Sequence, residues 1–162
     1  MASPEQRLAE LGIELPEVPA PAAAYQPWKR SGTLVFTAGQ VPSVDGAIAT
    51  TGKLGADLDV AQGQQQARIC AINLLAIARA ANGGSLDGVS FVKLTVFVAS
   101  APDFTEQHLV ANGASLLLSE VLGDDGVHAR SAVGVPSLPT DCAVEVEAIL
   151  ELSAGDEPAA GR

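Results

Sequence analysis

The chain has 162 residues, of which 48% are hydrophobic and 17% are charged, and these proportions predict a single globular domain. Nineteen acidic residues against nine basic ones give a net charge of −10, which argues against nucleic-acid binding because phosphate contacts need clustered lysine and arginine. No apolar run is long enough to span a bilayer, and the polar start MASPEQRLAELG does not resemble a signal peptide. We therefore expect a cytoplasmic protein that does not bind membranes.

The N-terminal residues predict a short helix and then an extended segment. Ser3 and Gln6 have the spacing of a capping box, and the helix should run to about Leu11. Three prolines in the stretch GIELPEVPAPAAA favour extended backbone after it. We interpret residues 1–19 as an extension that precedes a domain of residues 20–152.

Two strands, a tight turn and a long helix are expected next. The strands are predicted at Ala22–Lys29 and Thr33–Gln40. The pair Asp45-Gly46 in the following loop is typical of a hairpin turn. Asp59 has the position of a helix cap, and the long helix that it begins should stop at Asn82, where two glycines follow.

The second half of the chain predicts a strand, a helix and two more strands. Val89–Ser100 alternates along its length, which places Phe91 on the same face as Lys93. Asp103 should cap the second helix, at about Phe104–Leu122. The last strands are expected at Ala129–Val135 and Cys142–Leu152, and residues 153–162 should form a disordered tail.

This order of elements has a consequence for the sheet. Two helices cover only one of its faces, yet the strands that contain Phe36, Val96 and Val146 carry apolar residues on both faces, as in a sheet that is covered twice. A second copy of the sheet is the simplest cover. We therefore expect an α+β fold that assembles as an oligomer, with its sheets meeting inside.

Sequence motifs for metals, phosphates and nucleophilic serines are absent. The patterns GxxxxGK[ST], GxGxxG and GxSxG do not occur, and His108 and His128 lack the spacing of a metal site. Cys70 and Cys142 lie in apolar patterns and should be buried as small hydrophobic residues. We expect no metal, no cofactor and no disulfide framework.

Arg130 is the strongest candidate for a binding group. Its neighbours on the strand are small and uncharged, so its guanidinium is free to bind a carboxylate through two parallel hydrogen bonds. A structural ion pair with Glu145 or Glu147 explains the same residue equally well. Together with Glu151, these glutamates share one strand face. That face is either solvated, or one carboxylate lies in a partly buried cleft, has a raised pKa and holds a water molecule.

Three residues near the first strands have roles that the sequence leaves open. Packing explains Tyr25, the single tyrosine, about as well as a place in a binding site does. Trp28 is interpreted as an edge or interface residue. Gly39 either lets a backbone amide approach a ligand or ends its strand in a bulge.

Three motifs, in the same order, resemble the RidA family, which is also called the YjgF family and is often labelled L-PSP endoribonuclease. They are LVFTAGQVP around Gly39, FVKLTVFVASAPDF before the second helix, and RSAVGVPSLPTDCAVEVEA from Arg130 onward. Together they cover about residues 20–152. The order of helices and strands predicted above is also that of the family.

The resemblance implies a chorismate-mutase-like fold, with a mixed β-sheet and two helices packed on one face. It also implies a homotrimer around an inner β-barrel, with ligand sites between subunits. The implied activity is hydrolysis of reactive 2-imino and 2-enamino acids, such as 2-iminobutanoate and 2-aminoacrylate, to 2-oxo acids and ammonia without a cofactor. Arg130 would bind the substrate carboxylate and Glu145 would position the water. Tyr25 matches a site tyrosine, and Gly39 matches a glycine that contacts substrate through its backbone.

The chain departs from the family pattern at several positions. Ala38 stands where the family has a serine, and we take His108 to replace an asparagine of the second helix. The segment LSEVLGDDGVHA before Arg130 is longer than in the archetype, which indicates a separate branch. These differences motivate a second hypothesis, a module that binds a small carboxylate or keto acid without turnover. The ribonuclease label is a third hypothesis, and the acidic charge counts against it.

Overall fold

The computed structural model of the protein describes residues 2–18 and 24–153. In these ranges the helices are α1 (Pro4–Glu10), α2 (Val60–Ala81) and α3 (Gln107–Leu122). The strands are β1 (Trp28–Ser31), β2 (Leu34–Thr37), β3 (Ser43–Val44), β4 (Ala47–Ile48), β5 (Val89–Ala99), β6 (Ala129–Val135) and β7 (Val144–Leu152). Short 3-10 turns cover Gly123–Gly126 and Pro139–Asp141. The predicted disordered tail lies outside the described residues, apart from Ser153. No helix in the described ranges is long and apolar enough to cross a bilayer.

Five strands form one mixed sheet in the order β1-β2-β7-β5-β6. Neighbouring strands are antiparallel except β5 and β6, which are parallel. Helices α2 and α3 pack together and cover one face, where every second residue of β7 from Val144 to Leu152 is buried. The predicted α+β architecture with two helices on one face is therefore confirmed. The hairpin turn at Asp45-Gly46 is also confirmed, since it joins β3 to β4.

The predicted caps of the first two helices are confirmed. The Ser3 hydroxyl accepts from the Gln6 N–H, and the Gln6 side chain accepts from the Ser3 N–H. Asp59 and Gln62 exchange the same pair of hydrogen bonds at the start of α2. Each pair satisfies two N–H groups that the first helical turn leaves without partners.

The start of α3 differs from the prediction. The helix begins at Gln107, and its preceding residue, Glu106, makes no capping hydrogen bond through its side chain. The Phe104 N–H instead donates to the Ala101 carbonyl, which closes a tight turn before the helix. The predicted cap at Asp103 is therefore wrong, because the chain uses that turn to change direction between β5 and α3.

The first strand also begins later than predicted. Residues 24–27 of the predicted Ala22–Lys29 strand do not join the sheet, and residues 22–23 lie outside the described part of the chain. Pairing starts at Trp28, directly after Pro27, because proline has no N–H to donate to a neighbouring strand. Trp28 occupies an edge strand, as expected.

Strand β5 departs from strict alternation by one residue. A β-bulge between Phe91 and Lys93 accommodates Val92, whose side chain is 42% exposed. Phe91 is buried on the helix side together with Leu94, while Lys93 faces the opposite side. The prediction that Phe91 and Lys93 share a face is wrong, because a bulge shifts the two-residue period by one position.

Both cysteines occupy the core. Cys70 and Cys142 are fully buried and unbridged, and both thiols donate to the Val144 carbonyl. Burial raises the pKa of the Cys142 thiol to about 11 and raises that of Cys70 as well. The thiols therefore stay protonated at neutral pH and act as small hydrophobic groups, as predicted.

The sheet face opposite the helices carries both apolar and charged side chains. Phe36 is 43% exposed and Val133 is 44% exposed, and Ile149 lies beside Phe36 across the β2–β7 pair. Lys93 lies on the same face and donates to the Ser131 hydroxyl at 2.8 Å. We call this surface the open face. A face that meets only water has no need of such apolar groups.

Helices α2 and α3 come closest at Gly113 of α3. A Cβ atom at this position would overlap the backbone of Gln64 in α2. Gly63 also lies between the helices, but a Cβ there would meet the ends of the Leu54 and Val110 side chains. Backbone cannot move aside by changing rotamer, so the spacing of the helices requires glycine at position 113.

We predict that Gly113→Ala destabilises the protein by roughly 1–3 kcal/mol, the usual cost of overpacking, although alanine is the better helix former. Gly63→Ala is the matched control and should cost less, because the side chains around it can adjust. Thermal unfolding followed by circular dichroism measures both variants. An unchanged or higher Tm for Gly113→Ala would contradict the proposed backbone contact.

Candidate active site

Arg130 lies on the edge strand β6, and its side chain points toward α3. Its register partner on β5 is Leu94, which is fully buried under the helices. The guanidinium makes three hydrogen bonds to this helix, each 3.0 Å long: Nη1 donates to Asn112 Oδ1 and Ser115 Oγ, and Nη2 donates to the carbonyl oxygen of His108. The three acceptors share one helix face because they are four and three positions apart.

None of these acceptors is negatively charged. The ion pair of Arg130 with Glu145 or Glu147, which was the structural alternative, is absent. Among the described residues the one ion pair joins Arg68 to Glu120. Partial burial lowers the pKa of the Arg130 guanidinium, yet an arginine stays charged at neutral pH. Three of its five N–H groups are used. Arg130 is therefore an oriented cation, with Nε–H and one Nη2–H available to a carboxylate.

The sequence interpretation missed the side chains that hold this arginine. Asn112 and Ser115 supply side-chain oxygens, whereas His108 offers its backbone carbonyl and has an exposed side chain. The structure thus places an asparagine beside Arg130 one helical turn after His108. His108, Asn112 and Ser115 form a polar line on one face of the helix, and that pattern is the signal that could have identified them.

His128 belongs to the same cluster. Its Nε2 lies 3.0 Å from Ser115 Oγ, and its Nδ1 lies 2.7 Å from the carbonyl oxygen of Gly126. Burial lowers the pKa of the His128 ring, and the nearby charge of Arg130 lowers it further, against the effect of the Gly126 carbonyl. The ring is therefore neutral at physiological pH.

Glu145 differs from the other two glutamates on its strand face. It is partly buried, whereas Glu147 and Glu151 are exposed. Burial raises the pKa of the Glu145 carboxyl, and the charge of Glu147 adds to that shift. Of the two interpretations of this face, the structure supports a partly buried carboxyl with a raised pKa.

Gly39 lies directly against the Glu145 carboxyl, where a Cβ atom would overlap Oε1. The carbonyl oxygens of Ala38 and Gly39 both accept from the Gln40 side chain, and the Ala38 N–H donates to Pro27. The Gly39 N–H has no partner among the hydrogen bonds of the described residues. Glu145 and the Gly39 amide thus form a second polar position.

Within one chain, Arg130 and the position formed by Glu145 and Gly39 do not lie together. Arg130 pairs with Leu94 and Glu145 pairs with Phe97, which are three residues apart along β5 and therefore face opposite sides of the sheet. Tyr25 is 67% exposed and lies outside the strands. Cavities of about 400, 440 and 510 Å³ border the N-terminal segment and α2, and neither Arg130 nor Glu145 lines them.

Fold and site together define an α+β protein with an oriented, uncompensated arginine at the edge of a mixed sheet. The chain matches the family model described as Endoribonuclease L-PSP over residues 16–152. It is 49% identical over 148 residues to Protein TCP17 of Trypanosoma cruzi, covering 90% of this chain and 92% of that protein. It is 32% identical over 148 residues to TdcF of Escherichia coli K12, whose provisional name is reactive intermediate deaminase. This match covers 88% of this chain and 97% of TdcF.

Solved structures give the same relationship. The crystal structure of Atu1372 from Agrobacterium tumefaciens, a protein of unknown function, superposes with a TM-score of 0.86 at 49% identity and covers 92% of this chain and 93% of its own. Escherichia coli TdcF with bound serine superposes with a TM-score of 0.58 at 31% identity, and the match covers 85% of this chain and 93% of TdcF. The chain belongs to the RidA family.

We predict that Glu145→Gln raises the Tm at pH 7, by about 1–3 °C on the usual scale for a chain of this size. The folded protein raises the pKa of this carboxyl, so it binds the proton more strongly than the unfolded chain does. Stability is therefore lost as pH rises from the unfolded pKa of about 4.3 through the raised folded value.

The difference between Glu145→Gln and wild type should consequently disappear toward pH 4, and differential scanning calorimetry across this range measures it. Glu151→Gln, at an exposed position on the same strand face, is the control and should leave the Tm unchanged. A lower Tm for Glu145→Gln at pH 7 would contradict the burial penalty.

Proposed function

We propose that the protein hydrolyses small 2-imino and 2-enamino acids, of the 2-iminobutanoate and 2-aminoacrylate type, to 2-oxo acids and ammonia. The observation that carries this proposal is the Arg130 guanidinium, which three uncharged oxygens of α3 orient and no acidic side chain of the described residues neutralises. Such a group binds a carboxylate in a fixed orientation. The name of TdcF, and its structure with bound serine, which also carries a carboxylate, support the same assignment.

The reaction needs a placed water more than a strong base. An imine carbon is already electrophilic, so water adds to it to give a carbinolamine, which then expels ammonia and leaves the 2-oxo acid. We assign Glu145 the role of holding that water and accepting its proton, for which a raised carboxyl pKa is suitable. The same carboxyl then returns the proton to the nitrogen, which leaves as ammonia. Arg130 holds the substrate carboxylate, so the imine carbon stays at a fixed distance from the water. No cofactor enters this scheme.

Two copies of the chain would form each site. Arg130 and Glu145 face opposite sides of one sheet, and Arg130 lies on an edge strand that a neighbouring copy can approach. The exposed Phe36 and Val133 of the open face favour the same assembly, because a second sheet would bury them. We propose a homotrimer of chorismate-mutase-like subunits, with the open faces lining an inner barrel and the sites between neighbours.

The remaining site residues have supporting roles in this proposal. The Gly39 N–H, beside Glu145, contacts the substrate, and Ala38 lines the same position. Tyr25, exposed in one chain, closes the cleft when a second copy is present. His108 contributes the carbonyl that orients Arg130. We further propose that residues 1–19 are an extension to a catalytic domain of residues 20–152, and that the protein removes damaging metabolites in the cytoplasm.

We predict that Arg130→Ala lowers the rate of 2-oxo acid release by roughly a hundredfold, because the substrate loses its bidentate charged partner. The assay generates 2-iminobutanoate in solution with an amino-acid oxidase and follows 2-oxobutanoate. Arg68→Ala is the matched control, since its ion pair lies on the surface. Equal rates for Arg130→Ala and wild type would contradict the proposal that Arg130 binds the substrate carboxylate.

Other outcomes of the same experiment favour the two rival functions. Binding of 2-oxobutanoate that depends on Arg130, with no acceleration of imine hydrolysis, would make the protein a carboxylate-binding module. RNA cleavage that accompanies the purified protein and is lost in Arg130→Ala would support the endoribonuclease name, against a net charge of −10.

We also predict that two variants, each inactive alone, restore activity when they assemble together. Mixed trimers of co-expressed Arg130→Ala and Glu145→Gln chains should regain about a third of the wild-type sites, because each site takes one residue from each of two neighbouring copies. Activity is measured on mixed oligomers isolated by two different tags. No recovery in those oligomers would place both residues in the same chain's site.

A further inference from the structure

The hydrogen bonds around Ser115 run in one direction. The Gly126 carbonyl can only accept, so His128 Nδ1, at 2.7 Å, carries a proton and donates it. In the neutral ring Nε2 is then an acceptor, and the partner at 3.0 Å is the Ser115 hydroxyl. With its proton directed at His128, the Ser115 oxygen presents its lone pairs to Arg130 Nη1, also at 3.0 Å.

The far end of this chain of bonds is built into the fold. Gly126 ends the 3-10 turn that follows α3, and a Cβ atom at this position would overlap the Leu118 carbonyl oxygen. The turn therefore packs against the backbone of the helix and cannot drift away from it. This turn lies in the longer segment before Arg130, so that segment supplies the carbonyl that sets the histidine tautomer.

We propose that His128 is a positioning residue for Arg130. It acts through Ser115: the neutral ring fixes the hydroxyl so that its oxygen accepts from the guanidinium, and the guanidinium then meets a carboxylate in one orientation. The inference rests on the carboxylate-binding role of Arg130 proposed above, and it adds a residue that touches neither the substrate nor the arginine itself.

Protonation of His128 would reverse this arrangement. Nε2 would then donate to Ser115, and two cations would lie on either side of one hydroxyl oxygen, each 3.0 Å from it. Arg130 is the charged group whose field acts on the ring. The other titratable side chains on the neighbouring elements are exposed or bonded elsewhere: Glu120, Asp124, Asp125, His108 and Lys93. Since the neutral ring is the form that orients Arg130, reciprocity requires a carboxylate bound to Arg130 to favour the neutral ring.

A double-mutant cycle tests the path through Ser115, with calorimetric binding of 2-oxobutanoate to the full chain as the measurement. Ser115→Ala should weaken binding by about tenfold, and His128→Phe by about fivefold, as expected for hydrogen bonds that serve a charged group. The double variant should bind no more weakly than Ser115→Ala alone. Ser119→Ala, one helical turn further along α3, is the control and should bind like wild type.

Several results would overturn the proposal. If His128→Phe weakens binding by the same factor with and without Ser115, the histidine does not act through the serine. If neither single variant weakens binding while Arg130→Ala abolishes it, the proposed path from His128 through Ser115 is wrong. The assignment of Arg130 as the carboxylate-binding residue then still stands. If Arg130→Ala binds normally, the proposed function itself fails.

Nitrogen NMR of the wild-type protein tests the proposed tautomer of His128 directly. The result does not depend on whether a variant folds. The neutral His128 ring should carry its proton on Nδ1, and this measurement needs no ligand. Adding 2-oxobutanoate should move the titration midpoint of His128 downward, since the acid binds best to the guanidinium that the neutral ring orients. A proton on Nε2 in the neutral ring, or an unchanged or raised midpoint in a sample that binds the acid, would contradict the proposed path through Ser115.

Discussion

The parallel pairing of β5 with β6 determines where the groups of the candidate site lie. Parallel neighbours need a crossover between them, and here the crossover consists of α3 and the 3-10 turn after it. The chain returns to the sheet edge beside the helix that it has just left. The register of Leu94 with Arg130 then turns the guanidinium toward that helix. The segment that connects the two strands thus supplies the oxygens that orient the arginine.

The two candidate positions, Arg130 and Glu145, represent opposite electrostatic situations. Around Arg130 the protein arranges neutral dipoles before any ligand arrives, so binding does not have to order the side chain first. At Glu145 the protein instead places a carboxyl where its ionised form is less stable than in water. Such a placement reduces folding stability at neutral pH in return for a more basic carboxylate. Functional groups commonly lie at positions that are poor for stability in this way.

Several features could be read from the sequence because they depend on local chemistry. The capping boxes at Ser3 and Asp59 and the turn at Asp45-Gly46 are short motifs, and each was predicted where it occurs. The motifs around Gly39 and Arg130 identified the family. Features that depend on tertiary contacts were not predicted. The bulge at Val92 has no marker in the sequence.

The cluster around Arg130 shows the same limit. Asn112 and Ser115 became recognisable only when α3 was placed beside β6. The sequence indicated the arginine, since few cations stand among so many small residues, but it could not indicate what holds it. The opposite orientations of Arg130 and Glu145 also follow from sheet register, which cannot be deduced from their separation of fifteen positions in the sequence.

The bulge at Val92 makes β5 respond to a change of length in an unusual way. Deleting one residue from a regular strand reverses every side chain on one side of the deletion. Here the removal of Val92 would leave a strand with regular alternation, in which Phe91 still lies opposite Leu150 and Lys93 opposite Ile149. Val89 and Phe91, both now 1% exposed, would therefore stay in the core. The bulge thus marks a position at which β5 can lose a residue without reversing the side chains on either side of it.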